Sequence, residues 1–137
     1  MTDWTELLVD PRSIRAIFGS TRPSLTGIEL HKIELDRDGP TVRLHLHLPE
    51  FPVDPPKKWV ERGCNRVWLK LQAIGVREVN IRGLVTEPTM DLTVFRNGDL
   101  VRVRGATDGM TLDLATDFLA IPSDSIGAYL HKPGWGW

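Results

Sequence analysis

Between Ile28 and Ile121 the sequence contains several runs in which apolar residues recur at every second position, which is typical of strands with one buried face. The clearest run extends from Val42 to Leu48, where apolar and polar residues alternate without a break. It follows Asp38-Gly39, a pair that favours a tight hairpin turn. In the strand before this turn the alternation slips by one residue near His31, which predicts a β-bulge. These runs together predict a first antiparallel hairpin.

Further alternating runs follow the segment from Pro49 to Pro56, whose prolines cannot donate hydrogen bonds within a sheet. We expect turns near Gly75 and at Asn97-Gly98. The further strands are expected at residues 67–71, 76–81, 90–94, 101–103, 110–114 and 118–121. The predicted core includes Leu44, Leu46, Leu69, Leu71, Leu92 and Val94. About eight short strands joined by turns predict a mainly β fold, an antiparallel meander that forms a twisted sheet or a sandwich.

Ahead of the strands the apolar spacing changes to that of a helix. Ile14, Ile17 and Phe18 lie at i, i+3 and i+4, Asp10-Pro11 suits a helix start, and Gly19 suits its end. We expect a short helix over residues 11–18 that covers one face or one open end of the sheet.

A chain of 137 residues is long enough for one core, so we expect a single domain. It divides into a helical segment at 1–20, a β region at 25–122 and a C-terminal tail at 123–137. The tail ends in Gly134-Trp135-Gly136-Trp137, for which disorder and docking of one ring are equally compatible interpretations.

Charge and composition exclude several classes of function. The net charge of -1 provides no basic field for general binding to nucleic acids or to anionic membranes. No stretch approaches the roughly 20 apolar residues of a spanning helix, and the first residues lack the pattern of a secretion signal. Cys64 is the single cysteine, which excludes an intramolecular disulfide, and we expect it to be a small buried hydrophobic residue. The expected location is the cytoplasm.

Candidate chemistry is sparse. His45 and His47 share one strand face and could hold a metal, but no third ligand is visible and their face lies opposite the leucine face. Asp38 is explained by its turn. The sequence contains no serine-nucleophile elbow, glycine-rich phosphate loop or dinucleotide fingerprint. We therefore predict no catalytic residue, metal or cofactor, and a protein that binds.

Two tryptophans are distinctive. Trp68 is out of phase with Val67, Leu69 and Leu71, so it lies on the opposite face beside Lys70, either under the helix or as an exposed contact residue. Trp59 is expected to fix the proline-rich segment by inserting its ring into the domain.

Several short motifs follow one another in a distinctive order: Trp4, Ile14 to Phe18, Pro23-Ser24-Leu25, Asp36-Arg37-Asp38-Gly39-Pro40, Pro55-Pro56-Lys57-Lys58-Trp59 and Tyr129. In this order they resemble the Immunity protein 50 family, found beside bacterial polymorphic toxins. The proline-lysine-tryptophan motif is the most specific, and the resemblance extends from about residue 4 to about residue 130. It implies a non-catalytic immunity protein that binds and neutralises a cognate protein toxin.

Four residues are the candidate toxin contacts: Trp68, Glu50, Asp54 and Glu87. They lie in loops or on the strand face away from the leucine core, and acidic anchors suit a basic toxin surface. The alternative is a small-ligand or carbohydrate-binding β module that uses Trp68. The identity of the toxin and the oligomeric state remain open at this point.

Overall fold

The computed structural model describes residues 3–19, 21–86 and 88–132. A 3-10 turn at Trp4–Leu7 precedes helix α1 (Arg12–Phe18), and helix α2 (Lys57–Glu61) lies between the second and third strands. The strands are β1 (Ile28–Asp36), β2 (Thr41–Leu48), β3 (Arg66–Arg82), β4 (Thr89–Asn97), β5 (Leu100–Thr107), β6 (Met110–Ala120) and β7 (Ile126–Tyr129). The prediction of a mainly β fold with a short N-terminal helix is confirmed.

The strands form one antiparallel sheet that closes on itself. Its order is β2-β1-β4-β5-β6-β3-β7, and β2 also pairs with β3. Strands β1 to β6 therefore form a closed ring, while β7 lies along the start of β3 on the same edge as β6. The meander is interrupted once, because β3 pairs with β6 and not with β4. This closure gives the sheet an inner, apolar face and an outer, polar one.

The inner face holds the core. Leu44, Leu46, Leu69 and Leu71 are 0–1 % exposed and pair across β2 and β3 in register. Leu92 and Val94 of β4 are buried as well, so the predicted core is confirmed. Alternation along each strand places the polar residues between them on the outer face.

Helix α1 begins and ends within one residue of its predicted bounds. The Asp10 carboxylate accepts a hydrogen bond from the Arg12 backbone N–H at 3.0 Å, and the Ser13 hydroxyl donates to the Ile121 carbonyl at 2.6 Å. Ile14 and Phe18 belong to the core cluster. Because the interior of a ring of strands is accessible only at its ends, we conclude that α1 covers one end.

The bulge expected near His31 is confirmed, since the register of β1 with β2 shifts between Leu30 and Lys32. The turn expected near Gly75 is wrong. Strand β3 runs through this glycine, whose φ of 72° lies beside a second register shift, between Val76 and Glu78. A bulge can absorb the break in apolar phase without reversing the chain.

Two other strand predictions need correction. The short run from Phe118 to Ile121 is mostly the end of β6 and not a separate strand. Strand β7 lies within the segment assigned to the C-terminal tail, and helix α2 was not expected. The described residues thus contain seven strands and not about eight. The Gly-Trp-Gly-Trp ending lies outside the described residues.

Candidate partner-binding surface

The outer face of β2 and β3 brings together the polar residues that alternate with the leucine core. His47 lies opposite Trp68, and His45 lies opposite Lys70. On the far side of β3, Trp68 lies opposite Gly127 of β7. Three neighbouring strands therefore present one continuous row from histidine to tryptophan to glycine.

These residues surround a cavity of about 360 Å³, which we call the outer recess. Its side-chain walls are His31, His45, His47, Trp68, Lys70 and Tyr129. The size lies within the range of about 300–1,000 Å³ that is usual for ligand sites. The recess is thus built on four strands of the sheet, which fixes its geometry.

The β1 bulge supplies one wall of the recess. The extra residue of the bulge is the exposed His31, which falls between the register pairs Leu30–Leu46 and Lys32–His45. Its ring centroid lies 5.2 Å from that of His47 at an interplanar angle of 42°. The phase slip in the sequence therefore positions this imidazole.

Tyr129 of β7 closes the recess on the other side. Its hydroxyl lies 2.6 Å from Nδ1 of His47, within hydrogen-bond distance, and the two rings meet edge to face at 5.1 Å. Burial lowers the pKa of His47 to about 4, with further lowering from the nearby His31, Arg66 and His131. Burial also raises the pKa of Tyr129. Both groups are therefore neutral at pH 7.

The indole of Trp68 packs against the backbone of β7. A β carbon added at Gly127 would lie 2.5 Å from Cζ2 and 2.6 Å from Cε2 of this ring. The glycine is thus the residue that lets the indole approach the strand. Trp68 is half-buried, and Lys70 places its ammonium 5.8 Å from the ring centroid, a distance typical of a cation–π contact.

The recess also has a charged rim. Nε2 of His45 is hydrogen-bonded to the Glu34 carboxylate, and this contact lowers the pKa of Glu34. Arg66 lies 3.9 Å from a Glu29 oxygen. The two carboxylates of this rim are each engaged by a basic neighbour within the protein.

The structure separates the four predicted contact residues. Trp68 lies in the outer recess. It is neither covered by the helix nor fully exposed, the two alternatives from the sequence, because β7 covers part of it. Glu50 and Asp54 are exposed in the connection from β2 to α2, and Glu50 accepts a hydrogen bond from the Ser24 backbone N–H at 3.3 Å. Glu87 lies outside the described residues.

Two further expectations concern Trp59 and Cys64. Trp59 is partly buried, packs against the core cluster and lies 6.0 Å from Phe51 between ring centroids, so it joins α2 to the domain. Cys64 is half-buried and not fully buried as expected, because it follows α2 at the surface of the domain.

Sequence reasoning missed the recess as a unit. His31 was a lone histidine, and Tyr129 and Gly127 lie in a four-residue strand without alternating polarity, Ile-Gly-Ala-Tyr. Their pairing with β3 spans about sixty residues of sequence, as Trp68 opposite Gly127 shows. No local pattern signals such a contact.

The described part of the chain holds no group of three or more His, Cys, Asp or Glu residues placed to bind a metal. Within the same ranges, no helix has the length and apolar character needed to cross a bilayer. The outer recess itself presents aromatic rings, hydrogen-bonding groups and the ammonium group of Lys70.

Comparison with known proteins gives one result. The family model described as Immunity protein 50 matches residues 10–126, which include α1, every strand from β1 to β6 and the first residue of β7. Neither the curated proteins nor the solved structures gave a match. Because the family model covers most of the chain, the protein belongs to the Immunity protein 50 family.

Proposed function

We propose that this protein binds one cognate toxin of a bacterial polymorphic toxin system in the cytoplasm of the producing cell and neutralises it stoichiometrically, without catalysis. The observation that carries the proposal is the family match over residues 10–126. An immunity protein of this kind acts by occupying its toxin.

Neutralisation by binding requires slow dissociation, because any free toxin continues to act on the producer. An interface of about 800 Å² on each partner is enough for nanomolar affinity when a few anchors are well placed. A surface built on paired strands loses little conformational freedom on binding, which favours affinity. The outer face of β1, β2, β3 and β7 has this property.

The proposed contacts remain Trp68, Glu50, Asp54 and Glu87. The structure favours Trp68 among them, since tryptophan is enriched at binding hot spots and this one borders a preformed recess. Glu50 and Asp54 are exposed charges that suit long-range attraction of a basic toxin surface more than tight packing.

Co-expression tests the proposal. The toxin encoded beside this gene is induced in a sensitive host, with this protein on a second plasmid and the empty plasmid as control. Growth should be restored only with the protein present, and an inactivated toxin should co-elute with it at a 1:1 ratio. Killing that is unchanged by excess protein would refute the immunity function.

A small-ligand or carbohydrate-binding function is the second candidate, and the size and aromatic walls of the outer recess are what favour it. It predicts that a panel of sugars, run by thermal shift, raises the melting temperature in a manner that Trp68→Ala abolishes. The immunity proposal predicts no such shift.

A further inference from the structure

We propose that the outer recess is the main toxin contact and that it receives an acidic segment of the toxin. In this arrangement a toxin carboxylate lies between Lys32 and Lys70, and a neighbouring apolar side chain packs on Trp68. The inference rests on the proposed function and names the chemistry of the bound surface.

The strand register places two ammonium groups on either side of one histidine. Lys32 of β1 lies opposite His45 of β2, which in turn lies opposite Lys70 of β3. Neighbouring strands are about 4.8 Å apart, so the two lysine backbones are about 10 Å apart on one face. That separation leaves room for a carboxylate between flexible side chains.

This positive charge is only partly neutralised by the protein itself. The Glu34 carboxylate is hydrogen-bonded to His45 and also lies within electrostatic range of Lys32, and Glu29 lies beside Arg66. Neither Lys32 nor Lys70 forms an ion pair with a carboxylate in the described ranges, 3–19, 21–86 and 88–132. Lys32, Lys70 and Arg66 outnumber Glu29 and Glu34 here, so the recess and the adjacent Lys32 carry local positive charge in a chain whose net charge is -1.

The outer face of β5 and β6 shows the contrasting arrangement. Arg102 lies 3.1 Å from Asp113 and 3.4 Å from Glu78, and Arg104 lies 3.4 Å from the same aspartate. Arg102 and Arg104 are thus already paired with carboxylates of the protein. An acidic toxin segment therefore gains more binding free energy at the outer recess, where neither Lys32 nor Lys70 has a carboxylate within ion-pair distance among the described residues.

The apolar part of the proposed toxin contact lies next to the two lysines. Trp68 is held against Gly127, and Lys70 lies over its ring. The hydrogen-bonded His47 and Tyr129 form a neutral aromatic wall beside it. Tryptophan, tyrosine and a nearby cation are the composition of an interface hot spot, and here they are already in place before binding.

The test compares two charge reversals of equal size. Lys32→Glu combined with Lys70→Glu alters the recess, whereas Lys57→Glu combined with Lys58→Glu makes the same net change on the exposed face of α2. Binding to the inactivated neighbouring toxin is measured by surface plasmon resonance at low and high salt. We expect the recess variant to raise Kd at least 100-fold and the α2 variant to change it less than threefold.

Further variants separate charge from folding. Lys32→Arg with Lys70→Arg keeps both charges and should bind within about threefold of the wild type, while circular dichroism confirms that all variants fold. Equal effects of the recess and α2 reversals would overturn the inference and leave the immunity function standing. A wild-type protein that neither binds nor neutralises the toxin would overturn both.

Discussion

Replacement of Gly127 by alanine tests the packing that shapes the outer recess. The new β carbon would lie 2.5, 2.6 and 2.7 Å from three atoms of the Trp68 indole, Cζ2, Cε2 and Nε1. Ordinary contacts between carbon atoms are about 3.5–4.0 Å, so the ring has to retreat by about 1 Å. We therefore expect the substitution to destabilise the fold and to displace the indole.

The magnitude follows from two opposing effects. Forcing an extra carbon into a packed site costs about 1–3 kcal/mol. Alanine in a strand is favoured over glycine by about 0.5–1 kcal/mol, because it loses less backbone entropy on folding. The expected net loss in the free energy of unfolding is about 1–2 kcal/mol, measured by urea titration with an unchanged slope.

A double-mutant cycle isolates the cause. In a Trp68→Ala background the indole is gone, so Gly127→Ala should stabilise the protein by about 0.5–1 kcal/mol, as at an uncrowded strand position. The coupling between the two positions should then be about 1.5–3 kcal/mol. If Gly127→Ala has the same effect in both backgrounds, the indole does not rest on β7 and this account of the recess is wrong.

Three further predictions concern the core, α2 and the recess histidine. Leu46→Ala, at a fully buried position, should lower the free energy of unfolding by about 2–5 kcal/mol, whereas Val53→Ala, at a side chain that is 92 % exposed, should leave it nearly unchanged; equal urea midpoints would refute the core assignment. Trp59→Ala should cost about 1–3 kcal/mol, less than a fully buried tryptophan, because its ring is only partly covered; the matched control is Val60→Ala in the same helix, which is 62 % exposed, and a loss no larger than that control would contradict the anchoring role. The pKa of His47 falls from 6.5 to about 4 on folding, so the stability it contributes is complete above pH 6.5 and is lost as the pH falls toward 4. His47→Gln should flatten the pH dependence of stability in that window by about 1–2 kcal/mol, an amount reduced by solvent screening, and a parallel pH profile for both proteins would count against a neutral, buried imidazole.

The fold could be predicted from the sequence wherever alternation was regular. The slip near His31 predicted a bulge because a single extra residue reverses the faces of a strand, and the register shows that shift. The same signal at Gly75 was read as a turn. A glycine at a break in the apolar alternation is compatible with a turn and with a bulge. The pairing of β3 with β6, which is not local in sequence, shows that the strand continues through Gly75.

The candidate site could be predicted only in part. Alternation placed His45, His47 and Trp68 on the outer face, but as separate residues with separate interpretations. What unites them is β7, whose residues Gly127 and Tyr129 contact Trp68 and His47 from a distant part of the chain. Proximity of this kind depends on topology, which local propensity does not encode.

Neighbouring strands of the ring pair over unequal lengths, and this difference determines where the sheet opens most easily. Strands β3 and β6 pair along nine residue pairs, whereas β1 and β4 are joined by two, Ile28 with Met90 and Glu29 with Thr89. Local opening breaks the fewest hydrogen bonds at the β1–β4 seam, so amide exchange there should precede exchange in the rest of the sheet. Because His31 of β1 forms one wall of the outer recess, opening the seam displaces that wall. A ligand bound in that recess would therefore slow amide exchange on both sides of the seam. The slower exchange would extend to β4, which does not line the recess.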